Sequence, residues 1–101
     1  MDGNRYDLFC RDLLINYEKF LKEEVKELYD KVRKISRFDI LEKIEVEVMN
    51  ICIREIIPII INIEFKEHTD IKLIQYLNCY LTDIITNWIL EFEDICRSEE
   101  S

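Results

Sequence analysis

The chain of 101 residues contains one glycine, Gly3, and one proline, Pro58. Tight β-hairpins draw on glycine, or on Asn-Gly and Asp-Gly pairs, because their turn residues need positive φ angles. No glycine follows position 3, so a sheet protein of this length would lack the turns that it needs. The sequence therefore predicts an all-α protein built from long helices that are joined by very short loops.

Apolar residues recur at steps of three or four in three stretches of similar length, which indicates three amphipathic helices. The stretches are residues 5–35, 36–63 and 70–95. Ser36 fits an N-cap position for the second helix, and Thr69 or Asp70 fits one for the third. Helices of about 30 residues would each be roughly 45 Å long, and the short loops between them predict an up-down-up bundle. Residues 1–101 are expected to form this single helical domain.

The second helix is predicted to be irregular because Pro58 falls inside it. Proline removes one backbone hydrogen bond and collides with the carbonyl group four residues earlier, so we expect a kink or a split near Pro58. The apolar face of this helix is predicted to consist of Leu41, Ile44, Val48, Ile51, Cys52, Ile56, Ile59 and Ile63. An alternative stays open for residues 44–66, since parts of this segment alternate with period two as half-buried strands do.

Charge and composition limit the classes of function. The net charge is −8, and residues 67–101 hold eight acidic and two basic residues. Nucleic-acid binding calls for a basic face, so no direct contact with nucleic acid is expected. Isoleucine is abundant and alanine is absent, which is typical of an A/T-rich genome. The longest uncharged run, residues 56–63, is too short to span a membrane, and we expect an intracellular protein of the cytoplasm or nucleus.

Catalytic, cofactor and metal sites are not predicted. The single histidine, His68, falls at a predicted loop, and the cysteines lack the spacing of a zinc site. In a bundle, Cys10, Cys52 and Cys79 would lie at similar positions along the long axis. We expect these three cysteines and Cys96 to be reduced and buried. The chain is therefore interpreted as a non-enzymatic protein without a cofactor.

The segment from Met49 to Phe65 suggests what the protein does instead. Its apolar residues surround most of the helix, so two neighbouring helices would cover only part of it. The sequence therefore predicts a protein–protein interaction subunit or adaptor that buries apolar surface in a homo-oligomer or a larger complex. The candidate interface residues are Ile53, Ile57, Ile60, Tyr76, Tyr80 and Trp88. Trp88 also lies on the main apolar stripe of the third helix and could instead belong to the core.

The alternative function is that of an acidic inhibitor or nucleic-acid mimic that occupies a basic groove on a target protein. The excess of carboxylates near the C-terminus of the chain suggests it. The candidate residues for this acidic face are Glu91, Glu93, Asp94, Glu99 and Glu100.

Overall fold

The computed structural model describes residues 2–35, 41–65 and 70–100 of the chain. The helical segments are α1 (Asp2–Ile35), α2 (Leu41–Ile51), a π-helical turn (Cys52–Ile56), α3 (Ile57–Glu64) and α4 (Ile71–Glu100). Because α2, the π turn and α3 follow one another without a gap, they form one interrupted second helix. No strand occurs within the described ranges, so the predicted all-α bundle of three helices is confirmed.

Contacts between side chains define the direction of each helix in the bundle. The Tyr6 and Tyr76 ring centroids lie 5.6 Å apart near the start of α1 and α4, and those of Tyr29 and Phe92 lie 5.8 Å apart near their ends. These two helices are therefore parallel. The hydroxyl of Tyr17 in α1 donates to Oε1 of Glu64 at the end of α3, at 2.6 Å, which requires the second helix to run the other way.

The bundle measures 46 × 22 × 20 Å along its principal axes, and its long axis matches the length expected for the helices. One continuous core runs along this axis between the helices. Its buried apolar side chains are Cys10, Leu13, Leu21, Val25, Tyr29, Val32, Ile44, Val48, Cys52, Ile57, Ile60, Leu77, Leu81, Ile85, Trp88, Ile89, Phe92 and Cys96.

The π turn lies immediately before Pro58, and the proline explains it. An α-helical path would bring the Pro58 ring against the carbonyl group of Arg54. In the π turn the N–H of Ile57 instead donates to the carbonyl oxygen of Cys52, five residues earlier. The wider turn gives Pro58 a place in the first turn of α3, where its missing N–H costs nothing.

The extra residue in the π turn changes which isoleucines face the core. A regular α-helix that buries Cys52 would go on to bury Ile56, Ile59 and Ile63, as the sequence predicted. In the structure the residue after Cys52 on the buried face is Ile57, and Ile60 follows one turn later. Ile59 and Ile63 are exposed instead, so the predicted apolar face is wrong for the C-terminal part of the second helix.

The start of α4 has the predicted cap. Oδ1 of Asp70 accepts a hydrogen bond from the N–H of Leu73 at 3.2 Å, and its carbonyl oxygen accepts one from the N–H of Ile74 at 3.0 Å. Asp70 is therefore the N-cap residue of α4. The other predicted loop features, at Ser36, His68 and Thr69, lie outside the described residues.

Candidate functional site

The second helix carries exposed apolar side chains in the π turn and in α3. Ile53 is 46% exposed, Ile59 50% and Ile63 54%. Ile59 and Ile63 are one helical turn apart and share a face of α3. Pro58, which is partly exposed, lies between Ile53 and Ile59 in the chain. These four residues are called the α3 surface below.

A groove between the second helix and α4 adjoins the α3 surface. Its volume is about 480 Å³, and its lining residues are Ile53, Pro58, Ile61, Asn62, Asn78, Cys79, Thr82 and Asp83. Two members of the α3 surface, Ile53 and Pro58, form part of its wall. Asp83 is the single lining residue with an ionisable carboxylate, so the groove is suited to apolar side chains with a few hydrogen-bonding groups at the edge.

The structure separates the six predicted interface residues into three groups. Ile53 lies at the surface and in the groove. Ile57 and Ile60 are completely buried, and Trp88 is only 7% exposed. These three are core residues of the chain itself and present no surface to a partner. For Ile57 and Ile60 the physical reason is the π turn, which rotates them inward.

Tyr76 and Tyr80 form the third group and lie where α4 meets α1. The Tyr76 ring packs against Tyr6, and its hydroxyl is 3.5 Å from Oδ1 of Asp7. Burial of Tyr76, followed by the negative charge of Asp7, raises the pKa of its phenol. Both tyrosines are partly buried and pack against the core. They therefore support the contact between α1 and α4 and lie apart from the α3 surface.

The predicted acidic face is interrupted. Glu91 is exposed, but its Oε2 lies 3.5 Å from Nζ of Lys22 on α1. Asp94 and Glu99 are exposed, whereas Glu93 is only 5% exposed and belongs to the interior. The side chain of Glu100 lies outside the described residues.

Lysines occupy the groove on the α1 side of these carboxylates. This groove has a volume of about 630 Å³, and Lys19, Lys22 and Lys26 line it together with Glu23, Glu27, Glu91, Phe92 and Ile95. Nζ of Lys26 lies 5.2 Å from the ring centroid of Phe92 and 3.0 Å from Oδ1 of Asp30. Positive and negative groups therefore alternate here, which weakens the resemblance of this side to a uniformly acidic surface.

Glu93 is the most perturbed acidic group among the described residues. Its Oε1 atom is buried and has no hydrogen-bond partner within the described part of the chain. Burial, followed by the charge of Glu45 on α2 and a hydrogen bond with it, raises the pKa of Glu93 to about 7. The two carboxyl groups therefore lie close to each other where α2 meets α4. Periodicity could not identify this pair, since nothing in the sequence brings position 45 to position 93.

The cysteines differ from the prediction at one position. All four are free thiols, and Cys10, Cys52 and Cys96 are buried, but Cys79 is exposed and lines the groove beside α3. Burial raises the pKa of Cys10 and of Cys52 to about 11.

Within residues 2–35, 41–65 and 70–100, no group of three or more His, Cys, Asp or Glu residues could hold a metal ion. In the same ranges, no helix is long and apolar enough to cross a membrane.

Comparison with protein-family models, with curated proteins and with solved structures gave no match. A functional proposal therefore depends on the geometry of the chain itself.

Proposed function

We propose that this protein is a non-enzymatic interaction subunit that binds a second protein, in the first place another copy of itself, through the α3 surface and the adjoining groove. One observation carries the proposal. The most apolar segment of the chain buries Cys52, Ile57 and Ile60 in the core, while its Ile53, Ile59 and Ile63 stay exposed.

The grouping of these residues supports binding better than single exposed side chains would. Isolated apolar residues are normal on protein surfaces, whereas adjoining ones often mark an interaction site. Ile59 and Ile63 adjoin each other on one face of α3, and Ile53 and Pro58 line a concave groove of about 480 Å³. A helix with an apolar face would fit this shape, with its side chains in the groove and its backbone along α3.

Charged substitutions on the α3 surface would test the proposal. Ile59→Asp and Ile63→Asp place a carboxylate at positions that are already in water, so the helical circular dichroism and the melting temperature should change little. A carboxylate buried in an apolar interface without a partner is costly, so association should fall at least tenfold. Sedimentation of the purified chain over a range of micromolar concentrations measures self-association.

Ile15→Asp is the matched control, because Ile15 is also an exposed isoleucine but lies on α1. It should leave association unchanged. If the wild-type chain is a monomer at all concentrations, a photoreactive residue at position 59, and one at position 15 as control, would identify contacts in the native cell. Equal cross-linking at both positions, or none at position 59, would contradict the proposal.

The acidic-inhibitor alternative has less support. Glu93 is buried, Glu91 is paired with Lys22, and further lysines line the same side of the bundle. Among the candidate residues whose side chains the structure describes, this leaves Asp94 and Glu99 as exposed carboxylates, and two are too few to imitate a phosphate backbone.

A further inference from the structure

The contact between α2 and α4 contains an unusual pair of acidic side chains. Glu45 lies near the start of α2, and Glu93 lies in the C-terminal part of α4. The same two helices also meet at Met49 and Thr86, where Oγ1 of Thr86 is 3.7 Å from the Met49 sulfur atom. The two carboxyl groups therefore lie within about two helical turns of a direct contact between α2 and α4.

Two ionised carboxylates at this position would strongly raise the free energy of the folded state. Glu93 is only 5% exposed, so water does little to screen its charge. Its Oε1 atom has no hydrogen-bond partner among the described residues. A proton shared with Glu45 is therefore the main way in which the two carboxyl groups can form a hydrogen bond. One proton between the two groups removes the repulsion and supplies a hydrogen bond across the contact.

Other charged groups around Glu93 do not remove this requirement. Arg97, one turn later on α4, favours the ionised form of Glu93, while Asp94 beside it disfavours that form. From α1, the phenol of Tyr29 faces the same region, and burial, with smaller effects from Cys96 and Glu93, raises its pKa to about 12. Tyr29 therefore stays neutral, and Arg33 on α1 acts on Tyr29 in the opposite direction, lowering its pKa.

We infer that Glu45 and Glu93 form a proton-dependent contact that holds α2 against α4 while it is protonated and weakens when the proton is lost. Glu93, the more deeply buried of the two, carries the proton. The second helix is thereby attached to α4 more firmly in mildly acidic solution than in mildly alkaline solution.

The direction of the pH effect follows from where the proton is bound. The pKa of Glu93 is about 7 in the folded chain, against 4.5 for an ordinary glutamate in the unfolded chain. The folded state therefore binds the extra proton over this interval, and the contribution of Glu93 to stability is fully present below the lower value and is lost as the pH rises through about 7. As the pH rises from about 4.5 to about 7, the folding equilibrium constant should fall by up to about tenfold for each pH unit.

Glu93→Gln tests the inference, because the amide can donate to Glu45 without taking up a proton. Denaturant unfolding of the wild type and of E93Q would be compared at several pH values between about 5 and about 8. The wild type should lose stability across this range, whereas E93Q should lose much less and should exceed the wild type at the highest pH. Glu99→Gln is the control, since it removes an exposed carboxylate of α4 that is not among the groups acting on Glu93, and it should keep the wild-type slope.

A titration of the wild type gives a second readout that does not require any variant to fold. The carboxyl-carbon NMR signal of Glu93 should shift with a midpoint near 7. A midpoint near the ordinary glutamate value, or an E93Q variant with the same pH slope as the wild type, would overturn the inference.

Discussion

At the scale of single residues, the environment of each cysteine follows from its position on a helix. Cys10, Cys52 and Cys96 face the core, where they act as small apolar side chains. Cys79 is on α4 as well, but it points into the open groove beside α3. Apolar neighbours in the sequence suggested the same buried environment for all four. They could not show that Cys79 falls outside the area that α1 and the second helix cover.

We expect one fast-reacting thiol in the folded chain. Cys79 should react with an alkylating reagent at the rate of an accessible cysteine, whereas Cys10 and Cys52 should react far more slowly because they are buried and their pKa values are raised to about 11. Mass spectrometry of the native protein would count the modified sites over time, and denaturant should make all four reactive. Cys79→Ser should remove the fast phase, and a fast phase that persists in this variant would show that another cysteine is accessible.

At the scale of elements, the π turn decides which side of α3 is buried. The sequence contains the cause, since the clash of Pro58 with the carbonyl of Arg54 is a general property of proline. The sequence does not show how the helix backbone avoids this clash, because a kink, a break and a π turn would all relieve it. Each response places a different set of isoleucines in the core. With isoleucine at most positions between 56 and 63, the composition could not distinguish these sets.

Where no proline intervened, helix periodicity identified most of the buried face. The apolar stripe that spacing predicts on α4 is Ile74, Leu77, Leu81, Ile84, Ile85, Trp88, Phe92 and Ile95. Five of these residues are buried, whereas Ile95 at the end of the stripe is 45% exposed. The all-α bundle could thus be predicted from spacing and from the scarcity of glycine. The candidate site could be predicted only in part: Ile53 is exposed as the interface prediction requires, whereas the interface role for Ile57 and Ile60 depended on an uninterrupted helix.

Two isoleucines three positions apart test the register that the π turn sets. Ile60 is completely buried, so Ile60→Ala should lower the free energy of unfolding by about 2–5 kcal/mol through lost contacts and a cavity. Ile63 is exposed, so Ile63→Ala should change it by only about 0.5 kcal/mol. Denaturant unfolding of both variants measures the difference. A larger loss for Ile63→Ala would mean that α3 continues the register of α2 as a regular α-helix.

At the scale of the whole molecule, exposed apolar side chains and charged ones alternate over the surface, and large apolar residues are exposed on every helix. The groove beside the α3 surface has Asp83 as its ionisable lining residue, whereas the Lys22–Glu91 ion pair lies at the contact of α1 with α4. Both of these side chains are well exposed, so their ion pair contributes little to stability. The cohesion of the bundle therefore depends mainly on its apolar core, and in the proposed self-association charge would act mainly as repulsion between copies.

The salt dependence of self-association distinguishes the two proposed functions. Each copy carries a net charge of −8, so two copies repel each other in dilute salt, and added salt screens this repulsion. If the copies join through the α3 surface, the association constant should hold or rise as salt is added from about 0.05 to about 0.5 M. Sedimentation at several salt concentrations measures this constant, and Ile59→Asp should abolish association at all of them.

Binding to a basic target through exposed carboxylates would show the opposite trend, because salt screens attraction as well as repulsion. Association that weakens steeply with salt and survives Ile59→Asp would thus contradict the role of the α3 surface and favour the acidic residues of α4.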